Sequence, residues 1–427
     1  SRWLSDKAKS AFASDEENEK RKQESAQALA LQMVQTFSKM RGAAMKLGQM
    51  LSYLGDVLPP EARKTLAVLQ RDAPPMPWEQ IQDQFFDELG KDPEALFASF
   101  ERKPIAAASI GQVHRATLHD GTPVAVKIQY PGIEDAMQAD LRNGQFLGLF
   151  QQMLFFRTDT KAIMQELEER FLDECDYRKE AEYQRRFAEV FATHPWIVVP
   201  HVHDAYSTRR ILTTTFYQGK GFYEWLATQP SETERDRVTR LFYRFYLGSF
   251  YLDGLFNCDP HPGNYLFLDD GRVVFLDYGC TRHFPDDRRK LWIQMCRAVY
   301  LDQYEEMEQL AYKIGFFKQG VKFDSSAFRD LMRYLYEPYL IDEPFIFADH
   351  SPETTFRKMF TENPNLFKLN MPADSVFLNR IGFGMVSLLA QMDARLNCRQ
   401  YAAHYFVGND PDWEDDPITH RTRLDPP

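Results

Sequence analysis

A chain of 427 residues has room for one large core or for two lobes with a cleft between them, and its 44% hydrophobic and 26% charged residues are those of a soluble globular protein. The formal net charge of −11, with no basic face able to release counterions, excludes a nucleic-acid binder. Cys175, Cys258, Cys280, Cys296 and Cys398 include no C-x-x-C pair, which excludes a zinc ribbon or disulfide framework and points to a reducing compartment. The 34 Phe and 20 Tyr are expected to fill a thick core rather than a lipid-facing groove. No stretch approaches the roughly 20 apolar residues that span a bilayer; the longest, 146–156 and 381–390, read as core helices. The chain opens on Ser1 rather than Met, which leaves room for a targeting or membrane segment upstream.

In chain order, residues 1–25 form a charged arm. Ala26, Leu29, Met33, Phe37, Met40, Ala44, Leu47 and Leu51 then recur at steps of three and four, the stripe of an amphipathic helix. Pro59 and Pro60 end it, Asp72 to Pro77 is a rigid connector, and Trp78 to Leu89 reads as a second amphipathic helix stopped by Gly90. These elements make a helical extension over 26–99. Strand-like runs follow at 105–117, 123–129, 197–199 and 210–216, with a turn at His119-Asp120-Gly121 and a long helical region over roughly 133–191. They outline a strand-rich lobe over 100–218. After Tyr217-Gln218-Gly219 the chain reads as almost wholly helical to its end, apart from one hairpin over 265–276 turned by Asp269-Asp270-Gly271. A few strands, a hinge, then a helical lobe with one embedded hairpin is the order of a kinase-like α+β fold.

The chemistry-bearing residues fall on that frame. Asp259-Pro-His-Pro-Gly-Asn264 repeats the five-residue spacing by which kinases set a catalytic Asp before a metal-holding Asn. Asp277-Tyr278-Gly279 follows across the hairpin, where a second metal carboxylate belongs. Upstream, Val124-Ala-Val-Lys127 matches the strand motif V-A-I-K, whose Lys meets nucleotide phosphates. Before it, Ala106-Ala107-Ala108-Ser109-Ile-Gly111-Gln-Val113 aligns with G-x-G-x-x-G-x-V, with Ala106 and Ala108 in place of the first two glycines. Each added methyl narrows the permitted backbone and changes how phosphates are held. In Glu174-Cys-Asp176-Tyr-Arg-Lys-Glu180, Asp176 and Glu180 share a helical face, and Glu180 is the expected partner of Lys127. Glu174 joins them only if a helix starts or bends at that point. On the early helix, Lys46-Leu-Gly-Gln49 puts Lys46 and Gln49 about 60° apart on the side opposite the apolar stripe. Gly42 and Gly48 beside them fit close packing, while a solvated face remains an equal reading.

Together these residues resemble the UbiB family of atypical kinase-like proteins linked to coenzyme Q biosynthesis, over residues 40–396. Lys46-Leu-Gly-Gln49 is similar to the family's K-x-G-Q, Ala106 to Ser109 to its Ala-rich loop, and Glu174-Cys-Asp176 to its E-x-D. The resemblance implies an atypical protein-kinase-like bilobal fold whose N-terminal helical extension covers the active-site cleft, with Lys46 reaching toward Glu174 and Asp176. It implies ATP/ADP and Mg2+ as cofactors, with Ala106–Ser109, Lys127, Lys46, Gln49, Glu174 and Asp176 at the nucleotide, Asn264 and Asp277 at the metal, and Asp259, Lys127 and Glu180 in catalysis. It further implies a quinone-precursor lipid or membrane surface, or proteins of a biosynthetic complex, as partners, on a reducing side such as the mitochondrial matrix or bacterial cytoplasm. Tyr278 in place of the usual Phe preserves an aromatic.

Three functions stay open on the sequence: an ATPase or small-molecule kinase, a conventional protein kinase, and a nucleotide-binding pseudokinase scaffold. Against the second, Asn257-Cys258 stand where protein kinases carry His-Arg, His261 stands where they carry Lys, and no A-P-E follows Asp277 at a suitable distance.

Overall fold

The computed structural model describes residues 76–108, 110–141, 172–349, 358, 362–366, 368–370 and 372–407. Lys46, Gln49 and the rest of 1–75, Ser109 and the apolar run 146–156 lie outside the described residues. Of the described residues, 132–141, with the helix Ile133–Leu141, belong to one unit of the chain and the others to a second. Everything below concerns the second unit.

Its first helix, α1 (Trp78–Leu89), carries an amphipathic face and ends at Gly90, whose φ of 69° only glycine adopts without strain and whose N–H donates to the Phe86 carbonyl. β1 (Ser99–Phe100), β2 (Ala106–Ala108), β3 (Gly111–Thr117), β4 (Pro123–Gln129) and β6 (Ile211–Thr215) form one antiparallel sheet. β3 pairs on one side with β1 and β2, and on the other with β4, which pairs in turn with β6. The run expected as one strand over 105–117 is broken by a tight turn between Ala108 and Gly111. Gly111 opens β3 after the break: a Cβ there would stand 2.0 Å from the Ile128 carbonyl oxygen, so only glycine lets β3 begin this close to β4.

Strand alternation divides the sheet into two faces. Val124, Val126 and Ile128 are fully buried and pack with Ile211, Ala116 and the α1 residues Ile81 and Phe85. Lys127 points to the opposite face. α1 therefore shares a core with the sheet on the side turned away from Lys127.

On the Lys127 side, α2 (Tyr177–Val190) starts at Asp176 and buries Tyr177, Glu180, Ala181, Gln184 and Phe187. β5 (Ile197–Val198) runs parallel to β9 (Val273–Phe275), which pairs antiparallel with β8 (Tyr265–Phe267). The β8–β9 turn is the one expected, closed by Gly271 at φ 89°. The rest is helical around a large aromatic core. α3 (Glu232–Tyr243) is started by a Ser231–Glu234 capping box and runs on as a π-helical segment, Arg244–Asp253. α4 (Asp286–Tyr300), α5 (Tyr304–Ile314), α6 (Ser325–Leu335) and α7 (Ala373–Gln391) follow, the last containing the apolar run 381–390 as expected.

The helical lobe also holds two strand pairs that the sequence reading assigned to helix: β7 (Leu255–Asn257) with β10 (Thr281–His283), and β11 (Phe345–Ile346) with β12 (Arg395–Leu396). Strands of two or three residues are too short to show a period of two, so their apolar residues merged with the helical pattern around them. Among the described residues no helix is long and apolar enough to cross a membrane, and the five cysteines are free thiols.

Candidate active site

The site is assembled by three local devices. The first is β4, whose alternation turns Lys127 away from the apolar core. Its register sets Lys127 between Val113 of β3 and Leu212 of β6. The second is α2. Asp176 is its N-cap: the carboxylate accepts from the Arg178 main-chain N–H at 3.1 Å and from the Arg178 guanidinium at 2.9 and 2.6 Å. α2 begins after this cap, so Asp176 stands in extended backbone ahead of the helix rather than on one helical face with Glu180, and Glu174 ends a separate helical turn over 172–174. Glu180 follows one turn in, buried.

Lys127 Nζ donates to both oxygens of Glu180, at 2.9 and 3.0 Å, with side-chain exposures of 16% and 5%. It stands 3.9 Å from Asp277 Oδ2 and 5.0 Å from the centre of the Tyr177 ring, a cation–π contact. Burial opposes the charge on Lys127, but Glu180 and Asp277 more than offset it and hold its pKa well above the usual lysine range. Burial raises the Glu180 carboxyl, Lys127 pulls it back in part, and Asp277 and Glu174 add to the rise. One ammonium thus faces an excess of carboxylates.

The third device is the β8–β9 hairpin with the loop before it. Tyr265 pairs with Phe275, so Asn264 lies opposite Leu276, and the Leu276 N–H donates to the Asn264 carbonyl at 3.0 Å. This closes the hairpin's open end and sets Asn264 one residue from Asp277. Asn264 Nδ2 donates to the Asp259 main-chain carbonyl at 3.0 Å and to Asp259 Oδ2 at 3.3 Å. With the amide nitrogen spent this way, Asn264 Oδ1 is the atom left to face a cation. Asp259 itself is buried. The Gly279 N–H donates to Asp277 Oδ1 at 2.9 Å, and a Cβ at Gly279 would come within 3.3 Å of that oxygen.

Two residues that the sequence reading did not place in the site tie the parts together. Asn257 accepts from the Asp259 N–H at 3.0 Å and donates to the Asp277 main-chain carbonyl at 2.8 Å, joining the D-x-x-x-x-N loop to the D-Y-G turn. Its position two residues before Asp259 was the signal, read there only as a departure from His-Arg. The Tyr246 hydroxyl donates to the Asp259 carbonyl at 3.3 Å and pairs with the Tyr265 hydroxyl at 2.6 Å; nothing local in the sequence marks it. Tyr278 is fully buried against Phe187 and Phe245 and donates to the Phe275 carbonyl, so its hydroxyl is accommodated where Phe was the expected type.

Lys127, Glu180, Asp259, Asn264 and Asp277 are therefore linked by one chain of contacts. Ala106, Ala107 and Ala108 form β2, paired with β3 through Ala106–Val113, Ala107–Gln112 and Ala108–Gly111, so these three residues are one arm of a hairpin. The donor set suits a hard cation: an amide oxygen and a partly exposed carboxylate, all oxygen, with too few protein ligands to hold a metal alone. Mg2+ is held in that manner, by one or two side chains plus the phosphates of its nucleotide. Among the described residues no group of three or more His, Cys, Asp or Glu is positioned to hold a metal.

Comparison with known proteins adds an independent line. The profile of the ABC1 atypical kinase-like domain matches residues 68–311. The atypical kinase COQ8, mitochondrial, of Saccharomyces cerevisiae is 31% identical over 385 residues, covering 87% of this chain and 75% of that protein. The atypical kinase coq-8, mitochondrial, of Caenorhabditis elegans is 28% identical over 405 residues, covering 90% of this chain and 52% of that one. Among solved structures, the complex of Rv3197 with erythromycin from Mycobacterium tuberculosis superposes with a TM-score of 0.64 at 27% identity, covering 95% of this chain and all of that one.

Proposed function

Since the chain belongs to the ABC1 (UbiB) atypical kinase-like family, we propose that it binds Mg-ATP at the Lys127–Asp277 site and acts as an ATPase or small-molecule kinase. Its acceptor or client is a quinone-precursor lipid, and its setting the synthesis of an isoprenoid quinone such as coenzyme Q, or lipid handling, at a membrane surface on the mitochondrial matrix or bacterial cytoplasmic side. The observation that carries the reading is the unbroken contact chain from Glu180 through Lys127, Asp277, Asn257 and Asp259 to Asn264.

In this reading Lys127, held as an ammonium by Glu180, meets the nucleotide phosphates, and Asn264 Oδ1 and the Asp277 carboxylate hold the cation. Bound there, Mg2+ supplies charge neutralisation at the phosphates. Asp259 accepts the proton of the attacking hydroxyl or orients water, the orienting role sufficing for an ATPase. Its carboxylate accepts a hydrogen bond from the Asn264 amide. The β2–β3 hairpin lies over the phosphates with Ala106, Ala107, Ala108 and Ser109. Lys46 and Gln49 lie outside the described residues and enter this reading only through the family resemblance, while α1, a described helix of the 26–99 segment, packs on the sheet face turned away from Lys127 and does not cover the cleft.

The test is phosphate release from Mg-ATP by purified protein, with and without anionic vesicles and a phenolic quinone precursor. Asn264→Ala and Asp277→Asn should each abolish release; parent-level rates in both would remove the metal assignment. Labelled phosphate on added proteins would replace this reading with a protein kinase. Tight nucleotide binding without turnover would replace it with a scaffold for a biosynthetic complex.

A further inference from the structure

We propose that the helical lobe carries a second binding site, an apolar cavity behind the Asp259 loop that takes an uncharged hydrocarbon ring or short chain and steadies that loop. The cavity has a volume of about 200 Å3. Protein interiors rarely leave a void much larger than a water molecule, and an apolar void of about 150 Å3 accepts a benzene ring. One wall is Leu247, Phe250 and Tyr251 of the π-helical segment, a second is Phe256 of β7 with Trp292 of α4, and a third is Ile381, Gly382 and Met385 of α7.

The chemistry of the lining selects the ligand. No charged side chain lines the cavity among the described residues. Its polar groups are engaged with one another or with neighbours behind the wall: the Tyr251 hydroxyl and the Tyr336 hydroxyl lie 3.5 and 3.2 Å from Cys296 Sγ, and the Tyr243 hydroxyl lies 3.0 Å from Cys398 Sγ. Burial keeps these phenols un-ionised, with pKa values well above the usual tyrosine range. A ligand with a charged or strongly hydrogen-bonding group would lose water without replacement, whereas a hydrocarbon loses nothing. Gly382 marks the way in: it is exposed, and a Cβ built on it meets no atom within 4 Å.

Each wall also holds the Asp259 loop. On the π-helical segment, Tyr246 stands next to Leu247 and donates to the Asp259 carbonyl. On β7, Phe256 precedes Asn257, which accepts from the Asp259 N–H. On α7, Gly384 lies two residues from Gly382, and a Cβ there would stand 2.4 Å from Pro260 Cγ, so that helix seats the loop directly. A ligand that fills the space between these walls limits their movement and, through them, the movement of residues 259–264.

Toluene is the probe, added to the full chain without nucleotide, so the outcome is independent of the function proposed above. Saturating toluene should raise the parent's Tm by about 2–4 °C and slow amide exchange over residues 259–264. Gly382→Phe fills the entrance, and replacing a helical glycine favours the helix, so this variant folds and should show neither effect. Leu389→Ala enlarges the cavity and should keep the toluene response despite a lower Tm of its own. No Tm rise in the parent, or an equal rise in Gly382→Phe, overturns the site; a rise without slower exchange over 259–264 overturns the coupling.

Discussion

Glu180→Gln is the perturbation whose effect the geometry fixes most closely. Glu180 is 5% exposed and takes two hydrogen bonds from Lys127, itself 16% exposed. Removing one partner of a buried ion pair costs about 3–5 kcal/mol, because the other charge stays behind uncompensated. Asp277, 3.9 Å away and partly exposed, recovers part of that, and the glutamine oxygen still accepts one bond. The expected loss is therefore at the low end, about 2–3 kcal/mol, read as a lower midpoint with an unchanged slope in urea unfolding. Lys127→Met combined with Glu180→Leu removes both charges and should recover most of the loss. Since Lys127 has a raised pKa in the folded chain, its share of the stability is complete below the unfolded lysine pKa and declines only as pH rises through the folded one. The difference between parent and Glu180→Gln should accordingly hold steady on the alkaline side up to about pH 9, and change on the acid side as pH falls through the raised range of the Glu180 carboxyl, which only the parent carries. A Glu180→Gln protein as stable as the parent, or a double variant no better than the single, would refute the reasoning.

Other consequences are as concrete. Gly111→Ala drives a methyl into the Ile128 carbonyl and should cost at least about 1–3 kcal/mol in urea unfolding, with amide exchange rising across β2, β3 and β4. Asp176→Ala should cost about 1 kcal/mol, while Asp176→Asn keeps the cap and costs little. Burial raises the Asp176 carboxyl but the Arg178 hydrogen bonds outweigh it, so its pKa is lowered on folding. Its stabilisation is thus present above the usual carboxylate range and lost as pH falls below it, and the acid limb of a stability profile should flatten in Asp176→Asn. Asn257→Leu removes both bonds between the loop and the D-Y-G turn; exchange should quicken at Asp259 and Asp277, and phosphate release should fall by about 10–100-fold.

What the sequence made legible was whatever is encoded at short range. Asp259 and Asn264 are five residues apart on one loop, Asp277 lies just across a tight hairpin, Lys127 follows from the match to V-A-I-K on a strand, and Glu180 from its helical stretch after that strand, though the role of Asp176 as the helix cap was not read. What it hid depends on partners distant in the chain. Gly111 was read as a phosphate-loop glycine, yet its need for no side chain comes from the Ile128 backbone seventeen residues on. Gly384 answers to Pro260, more than a hundred residues away. Asn257 and Tyr246 act through hydrogen bonds to main-chain atoms, which leave no pattern of residue types. The β7–β10 pair escaped because three residues cannot display a period.

The account rests on a divalent cation and a nucleotide meeting at Asn264 and Asp277 beside Lys127. Calorimetric titration of ADP into the full chain, with and without Mg2+, tests this most directly. The prediction is binding that strengthens on adding Mg2+ in the parent and does not in Asp277→Asn. No heat of binding in the parent, or the same Mg2+ dependence in both proteins, would contradict it.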